Sequence, residues 1–479
     1  MKAFNPIFLM CVCLGIGTGC KTTDLSSDTI KNNIPAKYTV NSDSSQATPE
    51  AWRKLIFDAH LTALIDSSLA NNYDMRIALQ KVEAARAGIK FTKGIRLPEL
   101  GVNVAAGQRK FGKYTMDGVG NYDTQFSPNI SEKQQIPDPL PDYYVGLQTS
   151  WEIDLWGKLK HKKKAAAAKF IASQYGKDVI LTNLIAEIAG AYFELIALDN
   201  ELQILSDNIN LQQNALDVVI IQKQSGKANE LAIELLRAQL LNSKASKAEV
   251  TQRLVECESK INFLCGGYPK TITRDTGFTS TYMNAGFKTG IPSDLLMNRP
   301  DIRQAEMELK ASNSDVKSAK VAFYPSLTIN AGIGLQSFNA LLLFETPASL
   351  AYNTLGGLAA PLLNRRKLKA DLMSSRAEQK QAYIHYEKTV THSFMEVYNA
   401  LNNIKYTQEM YDLKKEEADV LKQSIVTSSE LFKAGRAGYL EIIVAQKNAL
   451  LSQIELNNYR KRQNTTLINL YRTLGGGWQ

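Results

Sequence analysis

The chain has 479 residues, 44% of them apolar, with 56 lysines and arginines against 47 acidic residues. The formal charge of +9 is spread along the chain and mixed with acids, which excludes the concentrated basic footprint of a nucleic-acid binder. Five cysteines are too few for a disulfide scaffold of this length, and the four histidines fall at no metal-ligand spacing.

The first residues, "MKAFNPIFLMCVCLGIGTGC", combine cationic Lys2 with an apolar stretch from Ile7 to Ile16 and then small residues. That is an export signal, too short to span a membrane. "GTGC" resembles a bacterial lipoprotein cleavage box, with Gly17 where leucine is usual. The favoured reading makes 1–19 a lipoprotein signal peptide, Cys20 the lipidated first mature residue and 20–57 a linker. A spare apolar cysteine in the signal is the alternative. Lys21 follows, not the aspartate that in some bacteria marks inner-membrane retention. Cys257 and Cys265 then remain. Eight residues along one helix rise about 12 Å, beyond the roughly 7 Å a disulfide spans, so both read as small packing residues.

Residues 71–107 return from 298 onwards at a spacing of 227: Asn71 meets Asn298, Asp74 meets Asp301, Arg76 meets Arg303, Pro98 meets Pro325 and Asn103 meets Asn330. Further on the spacing is 209: Lys158 meets Lys367, Thr182 meets Thr391, Glu187 meets Glu396, Gly226 meets Gly435 and Leu231 meets Leu440. One such long period marks a duplicated half; a solenoid would repeat every 20–50 residues or so. The halves are 58–268 and 293–479, joined by a linker at 269–292. The change of spacing falls in a longer first loop, 111–142, whose glycine, proline, asparagine and aspartate give it a loop composition.

In chain order, residues 71–95 show a helical period. After Pro98, Leu100, Val102 and Val104 alternate with Gly101, Asn103 and Ala105, giving a strand over about 98–110. Val145, Leu147, Thr149, Trp151 and Ile153 alternate likewise, for a strand over about 143–156. A helix from 157 to 224 follows, about 100 Å long. Its Leu181, Leu184, Ile188, Ala191, Leu195, Leu198, Leu202, Leu205 and Ile209 form a heptad seam. Residues 179–198 come nearest to a transmembrane helix but carry Asn183, Glu187 and Glu194. Ser225-Gly226 ends the helix, and a returning helix covers about 229–264. The second half repeats the order: helix, strands at about 325–336 and 350–363, a long helix at 366–433 and a returning helix at 438–474.

Exported strands that alternate oil and polar residues suit an outer-membrane β-barrel. A barrel in lipid must close, and four strands cannot enclose a water-filled lumen, so several chains must contribute.

"IPSDLLMNRPDIRQAE" with "AKVAFYPSL" (291–327), "WEIDLWGK" (151–158) and "LYRTLGGGW" (470–478) resemble the TolC-like outer-membrane efflux family, nearest its lipoprotein (NodT/OprM-like) branch serving RND pumps. The resemblance covers nearly the whole mature chain. It implies a mixed α/β membrane protein: a homotrimer with a twelve-stranded barrel, four strands per chain, and a long periplasmic α-helical barrel. It implies a periplasmic adaptor and an inner-membrane RND-type pump as partners, with outer-membrane lipid around the barrel. The function expected is a passive conduit exporting small molecules such as drugs and toxic compounds. A type I protein-secretion channel is the alternative; a coiled-coil scaffold and a secreted enzyme are weaker readings. No constellation points to catalysis, a cofactor or a phosphate cradle. His385 and His392 lack a carboxylate at ligand spacing on this reading and are taken as surface residues.

Four groups of residues stand out beyond Cys20. Two basic runs, Lys158, Lys160, Lys162, Lys163 and Lys164, and Arg365, Arg366, Lys367 and Lys369, follow the strands and are expected at the membrane interface. A solvated collar is the alternative. Gly226, Lys227 and Leu231, with Gly435, Arg436 and Tyr439, form matching tips; the resemblance makes them adaptor-docking sites. Many relatives have an aspartate just before the "AQ" at 445–446, where this chain has Val444. Leu440, Val444 and Lys447 share a helix face with Glu441 nearby, and are expected to form a periplasmic gate. Ordinary helix packing is the alternative.

Overall fold

The structure, a computed structural model, describes residues 52–56, 58–226, 228–275, 292–361 and 365–476, with Ser26, Lys31 and Pro35. Cys20 with the signal peptide, Lys227 and most of the expected linker at 269–292 lie outside the described residues.

In the first half, α1 (Ala59–Asn71) and α2 (Tyr73–Gly94) lead into strand β1 (Glu99–Arg109). The loop carries a short helix α3 (Met116–Thr124), then β2 (Leu140–Ile153), α4 (Lys158–Gln224) and α5 (Glu230–Leu264) follow. The second half holds α6 (Pro300–Val321), β3 (Ser326–Ser337), β4 (Leu350–Ala359), α7 (Arg365–Lys433) and α8 (Tyr439–Thr473). The two spacings of the sequence reappear in the fold: α2 and α6 start and end 227 residues apart, α5 and α8 209 apart.

The four strands form one antiparallel sheet in the order β1-β2-β3-β4. Its register puts Val102, Leu147, Ile333 and Tyr352 in one cross-strand row, with Val104, Val145, Leu335 and Leu350 in the next on the same face. The other face carries Gly101, Gln148, Gly332 and Asn353, then Asn103, Gly146, Gly334 and Ala351. One face is oily and the other small or polar, because neighbouring side chains in a strand point to opposite sides. On the polar face the backbones at Gly146 and Gly334 approach too closely for a Cβ at either, and the Tyr144 side chain covers both. Aromatic cover of this kind pins register where glycine weakens a strand.

Each strand continues into a helix, and the helices keep the order of the strands. Below the sheet α2 packs on α4, α4 on α6, and α6 on α7. Further down α5 packs on α4, α4 on α8, and α8 on α7. The heptad seam of α4 is inside this packing: Leu195, Leu198 and Leu205 are buried against Val250, Cys257 and Ile261 of α5. The apolar stretch 179–198 is core, with Ile188, Tyr192 and Ile196 against Leu61, Ile65, Leu264, Ile468 and Tyr471. Its acids face outward and pair, Glu187 with Lys260 at 3.1 Å and Glu194 with Lys461 at 2.7 Å.

Several expectations are corrected here. The long loop is not all irregular: Thr115 accepts from Gly118 N at 3.1 Å and starts α3. β2 begins three residues earlier than expected, at Leu140, and stops at Ile153, because Asp154 leaves the ladder to cap the next helix. β4 ends at Ala359, and 362–364 lie outside the described residues.

Candidate functional site

Three places carry the residues singled out in the sequence, and a fourth emerges from the structure. The first is the junction of sheet and helices. Asp154 accepts from the free amides of Leu159 and Lys160 at 2.9 and 2.7 Å. Its negative charge at the N-terminus of α4 offsets the unfavourable meeting of cations and helix dipole. Lys158 pairs with Glu152. Lys160, Lys162 and Lys164 are exposed and Lys163 is half-buried; Arg365, Arg366, Lys367 and Lys369 are exposed at the start of α7. Between the two runs lies a cleft of about 440 Å³, lined by Glu152, Trp156, Lys158, Tyr324 and Lys367. The Trp156 indole donates to the Pro325 carbonyl at 2.7 Å and its ring stands 5.4 Å from Tyr324. Burial, then the cations of Lys164, Lys317 and Lys160, push the His161 imidazole below its ordinary value.

The second place is the pair of tips. Gly226 and Gly435 both adopt positive φ, 72° and 69°, a conformation that costs any residue with a Cβ. Arg436 N donates to the Leu431 carbonyl at 2.9 Å, closing the end of α7. Lys223 pairs with Glu230 across the first tip. Gly226, Gly435, Arg436 and Leu231 are exposed, whereas Tyr439 packs with Ile443 against Leu216 and Leu236.

The third is the first turns of α8. Leu440 and Val444 are 57% and 48% exposed, and Glu441 and Lys447 are exposed with them. Lys447 makes no ion pair with a described residue. Within one chain this face is bare; Tyr439 and Ile443, on the other side, do the packing.

The fourth is a corner clasp that sequence reasoning passed over. Arg299, 5% exposed, donates to Asp301 at 3.0 and 2.7 Å, to Glu396 at 2.8 Å and to the Thr473 carbonyl at 2.8 Å. Arg472 reaches the other oxygen of Glu396 at 2.9 Å. In the first half Asn72 stands in Arg299's place and donates to the Leu264 carbonyl at 2.9 Å. Leu264 is the repeat counterpart of Thr473, so both halves close at the same corner. The matched Glu187 and Glu396, and the Asn-Arg-Pro-Asp run, were the signals available. Glu396 also corrects the reading of His392, whose Nδ1 lies 3.7 Å from its carboxylate. Two arginines already hold that carboxylate, and among the described residues no metal-ligating group of three gathers.

An open sheet with one oily and one polar face, carried on helices about 100 Å long, defines a class: a set of staves for a channel that crosses the outer membrane as a β-barrel and continues as a helical tube. The family profile described as "Outer membrane efflux protein" matches residues 64–267 and 291–476. The chain belongs to that family and is an outer-membrane protein with the TolC-like fold. It is similar to the cation efflux system protein CusC of Escherichia coli O6:H1, 25% identical over 89% of this chain and 88% of that one. It is also similar to the solvent efflux pump outer membrane protein SrpC of Pseudomonas putida, 27% identical over 90% of this chain and 88% of that one. Among solved structures, the outer-membrane channel OprN superposes with a TM-score of 0.82 at 21% identity, over 96% of this chain and 99% of that one.

Proposed function

We propose that this protein is the outer-membrane duct of a tripartite efflux system, a passive conduit for small molecules. The observation that carries this reading is the sheet: both edges, β1 and β4, lack a strand partner among the described residues, and one face is mostly oily. Unpaired edges in lipid are too costly to stand alone. A homotrimer would close the sheet into twelve strands, with the glycine and amide face lining water. The long helices then form a periplasmic tube whose tips meet the adaptor of an RND-type pump. The relatives named for cation and for solvent efflux differ little in identity to this chain, so overall likeness does not select a substrate. The pump selects it.

The bare face of Leu440, Val444 and Lys447 supports a gate at the far end, with an apolar ring beside a cationic one. An apolar constriction closes by dewetting, and a charged ring sets ion preference. Purified protein in planar bilayers tests both. We expect discrete pores, weakened or reversed ion preference in Lys447→Glu, and greater closed-state conductance in Val444→Ser. A detergent-independent monomer without pores would overturn the duct; normal pores unchanged in both variants would move the gate elsewhere.

A further inference from the structure

The loop between β1 and β2 is longer than its counterpart in the second half by 18 residues, the difference between the spacings of 227 and 209. Joining two antiparallel strands needs no such length, and long loops in a compact fold are mostly functional. Here the extra chain is folded. Asn121 Nδ2 donates to the Pro137 carbonyl at 3.4 Å and Ile136 N to Thr124 Oγ1 at 3.4 Å, tying the returning chain to α3. Ser131 N donates to Gln134 Oε1 at 3.0 Å and closes the turn between them.

This loop and the one joining β3 to β4, 338–349, form the walls of a cleft of about 1090 Å³ at the end of the sheet remote from the helices, a size that suits a ligand. Lys133 of one wall pairs with Glu345 of the other at 3.1 Å and fixes their separation. Phe126 and Phe338 are on the walls and Tyr143 is on the floor. Phe126 is 70% exposed, yet its ring stands 5.0 Å from Tyr122 at 55°. An apolar plane is thus held out in water with little freedom left to lose on binding. Gln125, Gln135 and Glu132 also line the cleft, and their side chains make no hydrogen bond or ion pair with a described residue. Lys133 and Glu345 neutralise each other, so the uncompensated charge of the lining is the Glu132 carboxylate.

We infer that this cleft binds a saccharide built of neutral or amino-substituted sugars. A pyranose ring has an apolar C–H face and a rim of hydroxyls that both donate and accept. The face stacks on an aromatic ring, and the rim is met by amides, which do both, and by a carboxylate, which accepts. A wholly apolar ligand would desolvate Gln125, Gln135 and Glu132 without pairing them. An anion would meet Glu132 and no free cation. Tyr143 shares the oily face of β2 with Val145 and Leu147, so the floor of the cleft belongs to the outer wall of a closed barrel and not to its bore. A sugar bound there leaves the duct clear. Two sources present this chemistry outside the cell: the sugars of glycolipid in the surrounding leaflet and free oligosaccharide.

The inference rests on the duct reading, which turns this end of the sheet outward, and the test separates the two. Full-length protein purified in a sugar-free amine-oxide detergent is mixed with maltotriose, chitotriose and, as an anionic control, phosphorylated maltotriose. Saturation-transfer NMR reports contact and calorimetry reports affinity, and pores are recorded from the same preparation. We expect transfer to the ring protons of at least one neutral sugar, and weaker binding of the phosphorylated one. Phe126→Ala and Gln135→Ala, both at exposed positions, should each weaken binding about tenfold, the effect of some 1.4 kcal/mol, with helix and strand content unchanged by circular dichroism. Pores without transfer to either neutral sugar overturn the cleft and leave the duct standing; sugar binding without pores overturns the duct alone. Equal affinity in wild type and both variants, or for the phosphorylated sugar, also overturns the assignment. Mass spectrometry of the extracted protein distinguishes the sources. Glycolipid retained by wild type and lost from Phe126→Ala supports the leaflet, and binding of free sugar with no glycolipid retained supports the medium.

Discussion

At the scale of single residues, the corner clasp is where a small change has the largest expected effect. Arg299 is a buried charge held by two carboxylates and a carbonyl. Removing one partner of such a network costs about 3–5 kcal/mol, because the remaining charges stay buried without compensation. Arg299→Met should therefore lower the heat-denaturation midpoint in detergent markedly. Arg472→Met should lower it less, since Arg472 is more exposed and meets only one oxygen of Glu396. Equal midpoints in wild type and Arg299→Met would show that the clasp does not hold the corner. The same network has a pH signature. Burial raises the Glu396 carboxyl, but Arg299 and Arg472 outweigh it and hold the group below its ordinary value of 4.5. A depressed folded pKa means the unfolded chain binds more protons on acidification. The stability from Glu396 is full above about pH 4.5 and is lost as the pH falls through the folded pKa, a loss that Glu396→Gln should blunt.

At the scale of elements, the junction between strand and helix decides how the chain leaves the membrane. Cations at the start of α4 would weaken that helix on their own, yet five lysines stand at or near it. Asp154 removes the conflict by capping Leu159 and Lys160, which frees the exposed lysines for another surface. We propose that this surface is lipid, at about 1 kcal/mol for each lysine near an anionic head-group layer. Trp156 and Tyr324 beside the cleft suit the same interface. Reversing Lys162, Lys163 and Lys164 to glutamate should weaken binding to vesicles containing anionic lipid while leaving helix content unchanged by circular dichroism. Unchanged vesicle binding and membrane assembly would make the collar a solvated ring. Binding lost together with helix content would point to folding of α4 instead.

At the scale of the whole molecule, the two tips lie at the end of the long helices remote from the sheet, and both glycines turn with the same positive φ. We propose that the tips are two equivalent docking edges on each chain, at the end turned toward the pump. A photo-crosslinker at exposed Arg436 should capture an adaptor in cells, and one at Tyr114, in the loop at the opposite end of the sheet from the helices, should not. Capture from Tyr114 alone would reverse the proposed polarity of docking. Among the described residues two cysteines are free, Cys257 buried and Cys265 partly buried. Burial, with Glu194 adding to it, pushes the Cys257 thiol up to about 11, and its Sγ lies 3.3 Å from the Ala191 carbonyl.

The architecture was legible in the sequence because periodicity is a local signal. Leu100, Val102 and Val104 alternate whatever they pair with, and the heptad of α4 records its own buried seam. Matching residues in the two halves, Asn71 with Asn298 and Gly226 with Gly435, announced the duplication for the same reason. Contacts between distant segments left no such period. Arg299 reads as one more basic residue until the fold brings Glu396 and the Thr473 carbonyl to it. His392 was misread for another reason: Glu396 lies one turn away on the helix already expected at 366–433, and that i,i+4 pair was passed over. The cross-strand rows needed the register, and a slip of one residue would have turned the oily face inward. The sequence by itself determined the elements, their order and their doubling, since each depends on neighbours a few residues away. Only the tertiary structure decided which charges are neutralised within the chain, because charges pair through space and not along the chain.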